Sequence, residues 1–445
     1  MDRDQSVDVQ TFLNEQAFSR FQWLIFALCF FVVLLDGFDT AAIGYIAPSL
    51  VKEWGVARPA LAPVLSAALF GLATGALAAG PLADRFGRKR VLGASVLVFG
   101  AACLWSSNSA DLNQLTVLRF VTGLGLGAAM PNAVTIMSEY CPDRRRSLLT
   151  NAMFCGFPFG AACGGFLAGW MIPQFGWRSV LLLGGIAPLI LALLLLGLLP
   201  ESVRYMVRSE MPADRIRAVL IRISAAAAGA RTFVMTEKAL VTTSSSGAKL
   251  VLSKAYVIGS VSLWVTYFMG LVIFYAVINW MPILFKDAGL DQQRATFISA
   301  LFPLGGVGAI ASGWLMDRFN ANRIIAVGYA LTSVSIYAIG QCVGDVGLLV
   351  VVVFIAGTLM NTAQSSMPAL AAAFYPTQGR ATGVAWMLGI GRFGAIAGSL
   401  LVAELARRKL GFSEIFMVIA FPGLIAMAGM LVKQRTHPET KVRHA

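Results

Sequence analysis

Charge is scarce in this chain. Of 445 residues only 13% are charged and 58% are hydrophobic, where soluble globular proteins carry about 25% charged residues. Mean hydropathy is +0.74. That balance excludes a soluble enzyme, a disordered protein and a disulfide-built secreted scaffold. Histidine is scarcer still. His437 and His444 both lie in the C-terminal tail, so proton chemistry inside the apolar stretches falls to carboxylates. There is no CxxC pair, and five of the six cysteines (Cys29, Cys103, Cys141, Cys155, Cys163 and Cys342) sit in apolar stretches. They read as small buried hydrophobes, not as a disulfide or metal framework. A cleavable leader is not expected either: Asp2, Asp4, Asp8 and Glu15 precede a first apolar run too long for one.

What is abundant is apolar sequence in helix-length runs. About 20 apolar residues cross a bilayer as a helix, and twelve such runs are present: 23–49, 59–80, 91–107, 112–137, 148–171, 178–199, 256–284, 295–316, 324–341, 346–373, 381–404 and 412–432. The sequence predicts an all-α membrane protein of 12 transmembrane helices. A polar stretch divides them six and six. The expected organisation is an N-tail over 1–22, a six-helix bundle over 23–199, a linker over 200–255, a second six-helix bundle over 256–432 and a C-tail over 433–445. The linker holds a basic, helical piece from Arg215 to Ser224 and a flexible Thr242–Gly247 segment.

The net charge of +13 could signal a nucleic-acid partner. Its distribution says otherwise. With the N-terminus inside, 25 of the 35 Lys and Arg residues fall in inner segments and eight in outer loops. That is the positive-inside pattern. It puts both termini in the cytoplasm and makes the partner the lipid bilayer, with no nucleic acid.

The halves repeat each other. Asp84-Arg85-Phe86 returns as Asp317-Arg318-Phe319, Pro142 and Arg146 as Pro376 and Arg380, and Pro188 as Pro422, at offsets of 233 or 234. Parallel six-helix repeats in a pseudo-two-fold arrangement, with a substrate site at their interface, are the architecture of the major facilitator fold. Gly80-x-x-x-Asp84-Arg85-x-Gly87-Arg88-Lys89 between spans two and three resembles that superfamily's cytoplasmic signature. Physically it is a tight turn at Gly87 beside an acid and several cations, able to latch a cytoplasmic gate through neighbouring helices. A plain positive loop is the other reading. In the second copy, at Asp317 and Arg318, Asn320 replaces the glycine, which points to a weaker latch.

Four charges stand well inside spans: Asp36, Asp39, Arg119 and Arg392. A charge at that depth costs at least about 2.5–3.5 kcal/mol and is a functional candidate by default. Asp36 and Asp39, three apart, share a helix face. Two poorly solvated carboxylates do not both ionise easily, so the pair suits a proton carrier; a structural pair is the alternative. Gly37 between them allows a bend or a close approach. Arg119 stands at a similar depth, and an Arg–Asp pair there could break on protonation or be a permanent bridge. The glycines at 123, 125 and 127 after it follow no strand and read as close helix packing. Arg392, near the midplane of span eleven, has no acid at similar depth in its half. Either an anionic substrate or a structural pairing could neutralise it.

Aromatics and amides suit a flat apolar ligand with a few polar groups. Tyr267, Tyr275, Asn279 and Trp280 of span seven, Asn361 and Gln364 of span ten, and Phe38 and Tyr45 of span one are candidates. Each reads equally as helix packing.

Leu35-Asp-Gly-Phe-Asp39, the Gly80–Lys89 motif, Arg119-Phe-x-Thr-Gly-Leu-Gly-Leu-Gly127, Met130-Pro-Asn132, Pro200-Glu-Ser202 and Arg380…Gly389-Ile-Gly-Arg392 together resemble the aromatic acid:proton symporter family. The likeness runs over nearly the whole chain. Thr266–Ile273 and Phe374–Arg380 are most similar to its 4-hydroxybenzoate/protocatechuate branch. The resemblance implies proton-driven uptake of a hydroxylated benzoate across a bacterial inner membrane, with the proton as coupling ion and no cofactor or metal. It also implies functional weight on Asp36, Asp39, Asp84, Arg119, Glu139 and Arg392. A monomer is expected to suffice. A transporter of another organic anion, or an uncoupled facilitator or exporter, shares the fold. An embedded enzyme would need a nucleophile, metal cluster or cofactor motif, and a sensor a larger soluble domain; neither feature is in the sequence.

Overall fold

A computed structural model describes residues 6–235, 249–308, 319–375 and 377–437. The chain opens with a strand, β1 (Ser6–Asp8), and a short helix, α1 (Val9–Glu15). Then come α2 (Arg20–Trp54), α3 (Ala62–Phe86), α4 (Arg88–Ser106), α5 (Leu112–Tyr140), α6 (Asp143–Phe154), α7 (Gly156–Phe175) and α8 (Arg178–Leu198). The linker contributes α9 (Val203–Arg208), α10 (Ala213–Ile221) and β2 (Thr232–Val234). The second half holds α11 (Val257–Asp287), α12 (Gln292–Leu304), α13 (Ala321–Gln341), α14 (Val346–Phe374), α15 (Thr377–Arg407) and α16 (Phe412–Thr436).

Among the described residues eleven helices are long and apolar enough to cross a membrane. They coincide with eleven of the twelve expected runs. The remaining one, 295–316, begins as α12 and a single 3-10 turn over Gly305–Gly308, and its second half lies outside the described residues. So do Asp317, Arg318 and the Thr242–Gly247 segment. The duplication is visible in the caps. Asp111 accepts from the Gln114 amide at the start of α5 at 2.8 Å. Asp345, 234 positions later, accepts from the Leu348 amide at the start of α14 at 3.1 Å. Each satisfies a helix-terminal amide that has no partner inside its helix.

The chain forms two compact units. One takes in 1–37, 70–160 and 181–240, the other 38–69, 161–180 and 241–445. In the first, α5 packs closely on α3 and α4. A methyl on Gly127 would overlap the Leu72 carbonyl, and one on Gly125 would crowd the Ser95 carbonyl. Small residues that let backbones approach are the usual basis of helix association in lipid. Gly125 and Gly127 thus pack helices, as their spacing indicated.

The N-terminal segment is an ordered strap. β1 pairs in parallel with β2, Ser6 opposite Thr232 and Asp8 opposite Val234. Asp8 caps α1 through the Thr11 amide at 2.8 Å. Val9, Phe12 and Leu13, spaced to share one face, bury it. Asn14 and Asp143 exchange two hydrogen bonds, at 2.7 and 2.8 Å. Arg222 stacks over the Phe21 ring at 3.8 Å. The basic linker piece is helical as expected: α10 buries Ile216 and Leu220.

In the second unit the end of α2 is tied to the end of α11 and the start of α12. Arg58, just before α3, pairs with Asp287 at 2.7 Å. Lys286 donates to the Pro48 carbonyl at 3.3 Å, and Gln292 to the Ser49 hydroxyl at 2.5 Å. A cavity of about 640 Å³ opens beside these ties, between Ser49, Glu53, Trp177 and Asp291.

Candidate functional site

All three N-terminal intramembrane charges are buried. Asp36 on α2 is 3% exposed, and Arg119 on α5 and Asp39 on α2 are fully enclosed. Each has a polar or electrostatic partner. Asp36 and Arg119 belong to the first unit. Asp39, Phe38 and Tyr45 belong to the second, so the division of the chain passes between the two aspartates. Gly37 is there for closeness: a methyl on it would overlap the Phe157 carbonyl on α7. Phe38 is buried, with its ring against Gly164. Tyr45 is fully buried, and its hydroxyl donates to the Ala161 carbonyl at 3.1 Å.

The second unit gathers three of the predicted substrate residues. Arg392 on α15 is half-buried, and among the described residues it makes no ion pair and no hydrogen bond. Tyr267 on α11 lies within electrostatic reach of the Arg392 guanidinium and against the Gln364 amide of α14. Gly391, next to Arg392, admits the Tyr267 ring: a methyl there would strike it. Sequence reasoning missed a fourth member. Tyr329 on α13 is fully buried and donates to Gln364 Oε1 at 2.6 Å. No sequence signal ties residues 329 and 364 together, because only helix packing makes them neighbours.

The other candidates have contacts of their own. Asn361, one turn before Gln364, donates to the Phe302 carbonyl at 3.1 Å and the Gly357 carbonyl at 2.7 Å. Tyr275 is buried against Phe274. Trp280 donates to the Ser399 carbonyl at 2.9 Å, and Asn279 meets the Ser399 hydroxyl at 3.4 Å. Asn279 stands twelve residues, about 18 Å of helix, beyond Tyr267. Asn279 and Trp280 therefore join α11 to α15 at Ser399, about two turns along α15 from Arg392.

The signature motif occupies the turn between α3 and α4. Gly87 takes φ 93° and carries no side chain to cap α4. Glu201, from the segment after α8, does so from a distance. Its Oε1 accepts from the Arg88 amide at 2.9 Å and the Lys89 amide at 3.1 Å. A carboxylate on two amides at a helix N-terminus is a strong arrangement, combining charge-assisted bonds with the helix dipole. Arg88 stacks over Tyr205 at 5.2 Å and reaches the Ala83 carbonyl at 3.3 Å. The Tyr205 hydroxyl donates to the Arg85 carbonyl at 3.2 Å, and that of Tyr140 to the Glu201 carbonyl at 2.5 Å. Glu139 accepts from the Ser202 hydroxyl, with Arg88, Arg204 and Glu201 nearby. Glu139 thus joins the signature turn. Gly80 is exposed on α3 with open space where a Cβ would sit, and the Asp84 side chain lies outside the described residues. Glu201 was absent from the predicted set.

Gly87→Ala is expected to destabilise this turn by about 1–2 kcal/mol, since positive φ strains an alanine and its methyl would strike the Glu201 carboxylate. Faster hydrogen exchange at Arg88 and Lys89 is the readout; unchanged exchange would remove the steric argument.

The second copy is built differently. Asn320 caps α13 with its own side chain, accepting from the Arg323 amide at 3.0 Å. Asn322 and Gln434, 233 positions after Lys89 and Glu201, bond to each other at 2.7 Å, and Lys433 donates to Asn322 at 2.7 Å. A neutral amide stands where the first half has a carboxylate.

The Major Facilitator Superfamily model matches residues 29–339 and 302–445. The chain belongs to that superfamily. It is a multi-pass membrane transporter by fold, not an enzyme. It is 52% identical over 429 residues to the 4-hydroxybenzoate transporter PcaK of Pseudomonas aeruginosa, covering 96% of each chain. It is 46% identical to the gallate transporter of Pseudomonas putida, covering 96% of this chain and 95% of that one. Its fold is similar to the partially occluded, inward-open xylose transporter XylE from Escherichia coli. The TM-score is 0.73 at 16% identity, over 96% of this chain and 100% of that one. These likenesses accord with the family read from the motifs.

Proposed function

We propose that this transporter carries aromatic carboxylates such as 4-hydroxybenzoate or protocatechuate across a bacterial inner membrane, by alternating access in symport with protons. One observation carries the reading: Arg392, half-buried in the second unit near Tyr267, which itself meets the Gln364 amide, has no protein anion bonded to it among the described residues. A guanidinium keeps its charge and matches a carboxylate bidentately. An aromatic ring beside it and an amide beyond suit a hydroxybenzoate. The relatives named for 4-hydroxybenzoate and gallate support the substrate class.

Asp36 and Asp39 supply the proton site, with Arg119 as the cation that one of them releases on protonation. Both termini face the cytoplasm, as does the Glu201 turn. The opposite ties, Arg58–Asp287 and Gln292–Ser49, form the outer gate. Arg58 and Asp287 are 43% and 26% exposed, and such pairs are worth about 0–1 kcal/mol. A gate that must open on every cycle needs ties of that strength. No cofactor beyond the proton enters the cycle, and a monomer suffices.

Uptake of labelled 4-hydroxybenzoate into proteoliposomes tests the reading. An inward-directed proton gradient is expected to raise both the rate and the final accumulation, and Asp39→Asn to abolish the gradient's effect. Uptake indifferent to the gradient would leave a facilitator. Gallate transported with 4-hydroxybenzoate excluded would move the substrate within the class.

A further inference from the structure

We infer that Tyr329, a residue behind the binding surface, sets the transporter's preference for a hydroxylated ring by holding Gln364 in one orientation. The inference rests on the reading of Arg392 as the carboxylate anchor. Tyr329 is fully enclosed, and its hydroxyl donates to Gln364 Oε1 at 2.6 Å. The acceptor end of the amide is thereby engaged, close against Gly270. The donor end, Nε2, is left 3.5 Å from the Tyr267 carbonyl, too long for more than a weak bond. Gln364 is half-buried; of its two N–H groups one is in hydrogen-bonding contact with the Tyr267 side chain, and the other has only that weak carbonyl bond, which a ligand oxygen can replace.

Gly270 makes the arrangement possible. A methyl on it would overlap both Gln364 Oε1 and the Tyr329 hydroxyl. The hydrogen bond crosses α11 where that helix has no side chain. Tyr267, one turn earlier, lies against both the Gln364 amide and the Arg392 guanidinium. A cation, an aromatic ring and an oriented amide donor therefore share one half-buried stretch of α11, α14 and α15. A benzoate anchored on Arg392 lays its ring beside Tyr267 and brings a ring hydroxyl to Gln364, whose N–H donates to that oxygen. A site built to bond a hydroxyl discriminates against the ligand lacking it. Without Tyr329 the amide turns freely, and the ligand must order it on binding. Tyr329 and Gly270 are positioning residues; Gln364 touches the ligand.

The test is equilibrium binding of 4-hydroxybenzoate and of benzoate to the purified full chain, in the native form and as Tyr329→Phe, Gln364→Ala, the double variant and Gly270→Ala. Tyr329→Phe is expected to weaken 4-hydroxybenzoate about five- to tenfold and leave benzoate unchanged. The preference of the double variant should equal that of Gln364→Ala alone, because Tyr329 acts through Gln364. Gly270→Ala reaches the same hydrogen bond by a second route and should erode the same preference. Equal weakening of both ligands overturns the inference, since a purely structural role would do that. So does an unchanged preference, or additivity in the double variant. Arg392→Ala in the same assay keeps the two readings apart. If it leaves benzoate binding intact, the anchor fails and this inference falls with it. If it weakens benzoate while Tyr329→Phe leaves the preference unchanged, only this inference falls.

Discussion

Arg392→Ala is expected to weaken binding of 4-hydroxybenzoate about a hundredfold. Removing one partner of a desolvated, hydrogen-bonded charge pair costs about 2–5 kcal/mol. Arg392 is half-buried, which favours the lower part of that range; about 3 kcal/mol is roughly a hundredfold. Arg392→Lys restores the charge but not the planar fork and should recover about half of the lost free energy. Calorimetric titration of the purified protein reads both variants. The ester of the same ligand, which has no carboxylate, should bind the native protein and Arg392→Ala alike. Full affinity in the alanine variant would remove Arg392 from the site. Within an apolar span an uncompensated guanidinium is costly. No protein anion bonds to it among the described residues, which is why the proposed reading gives that place to the substrate carboxylate.

Glu201→Ala is expected to open the turn between α3 and α4. The Arg88 and Lys89 amides at 2.9 and 3.1 Å would lose their acceptor together. A lost helix cap costs about 1 kcal/mol, and groups left unsatisfied add a comparable amount each. A loss of about 2 kcal/mol corresponds to roughly thirtyfold less protection from hydrogen exchange at residues 88 and 89. Glu201→Gln keeps one acceptor oxygen without the charge, so it should fall between the two. The same change at Gln434, Gln434→Ala, should leave α13 nearly untouched, because Asn320 caps that helix from its own side chain. Equal losses in the two halves would contradict the asymmetry seen between Gly87 and Asn320.

Much of this was legible from the chain. Eleven apolar runs became the expected helices, because a stretch that cannot be left in water and must satisfy its own backbone in lipid has one solution. Gly125 and Gly127 proved to be contact points. The rarity of charge at depth singled out Asp36, Asp39, Arg119 and Arg392, and the first three are buried and partnered in the structure. The acid Glu201 was visible in the sequence as part of Pro200-Glu-Ser202 but not as the cap of a helix 113 residues earlier. The N-tail is a strap pairing with the linker, though its apolar positions, Val9, Phe12 and Leu13, are too few to signal a docked helix. Asn279 and Trp280 share the aromatic stretch that holds Tyr267, yet they meet Ser399, not Arg392. Periodicity places residues on one helix and says nothing about which turn of a neighbouring helix each will face.

The sequence by itself determined a membrane chain in two repeated halves, the superfamily, and the four charges out of place in lipid. These follow from composition and spacing, which act along the chain. Tertiary structure alone decided that Tyr329 bonds to Gln364, that Tyr267 lies near both Gln364 and Arg392, and that Glu201 completes the signature turn. It also decided that the end of α2 is tied to α11 and α12. Each is a contact between residues far apart in the chain, and its strength depends on ångström-scale placement that no local pattern encodes.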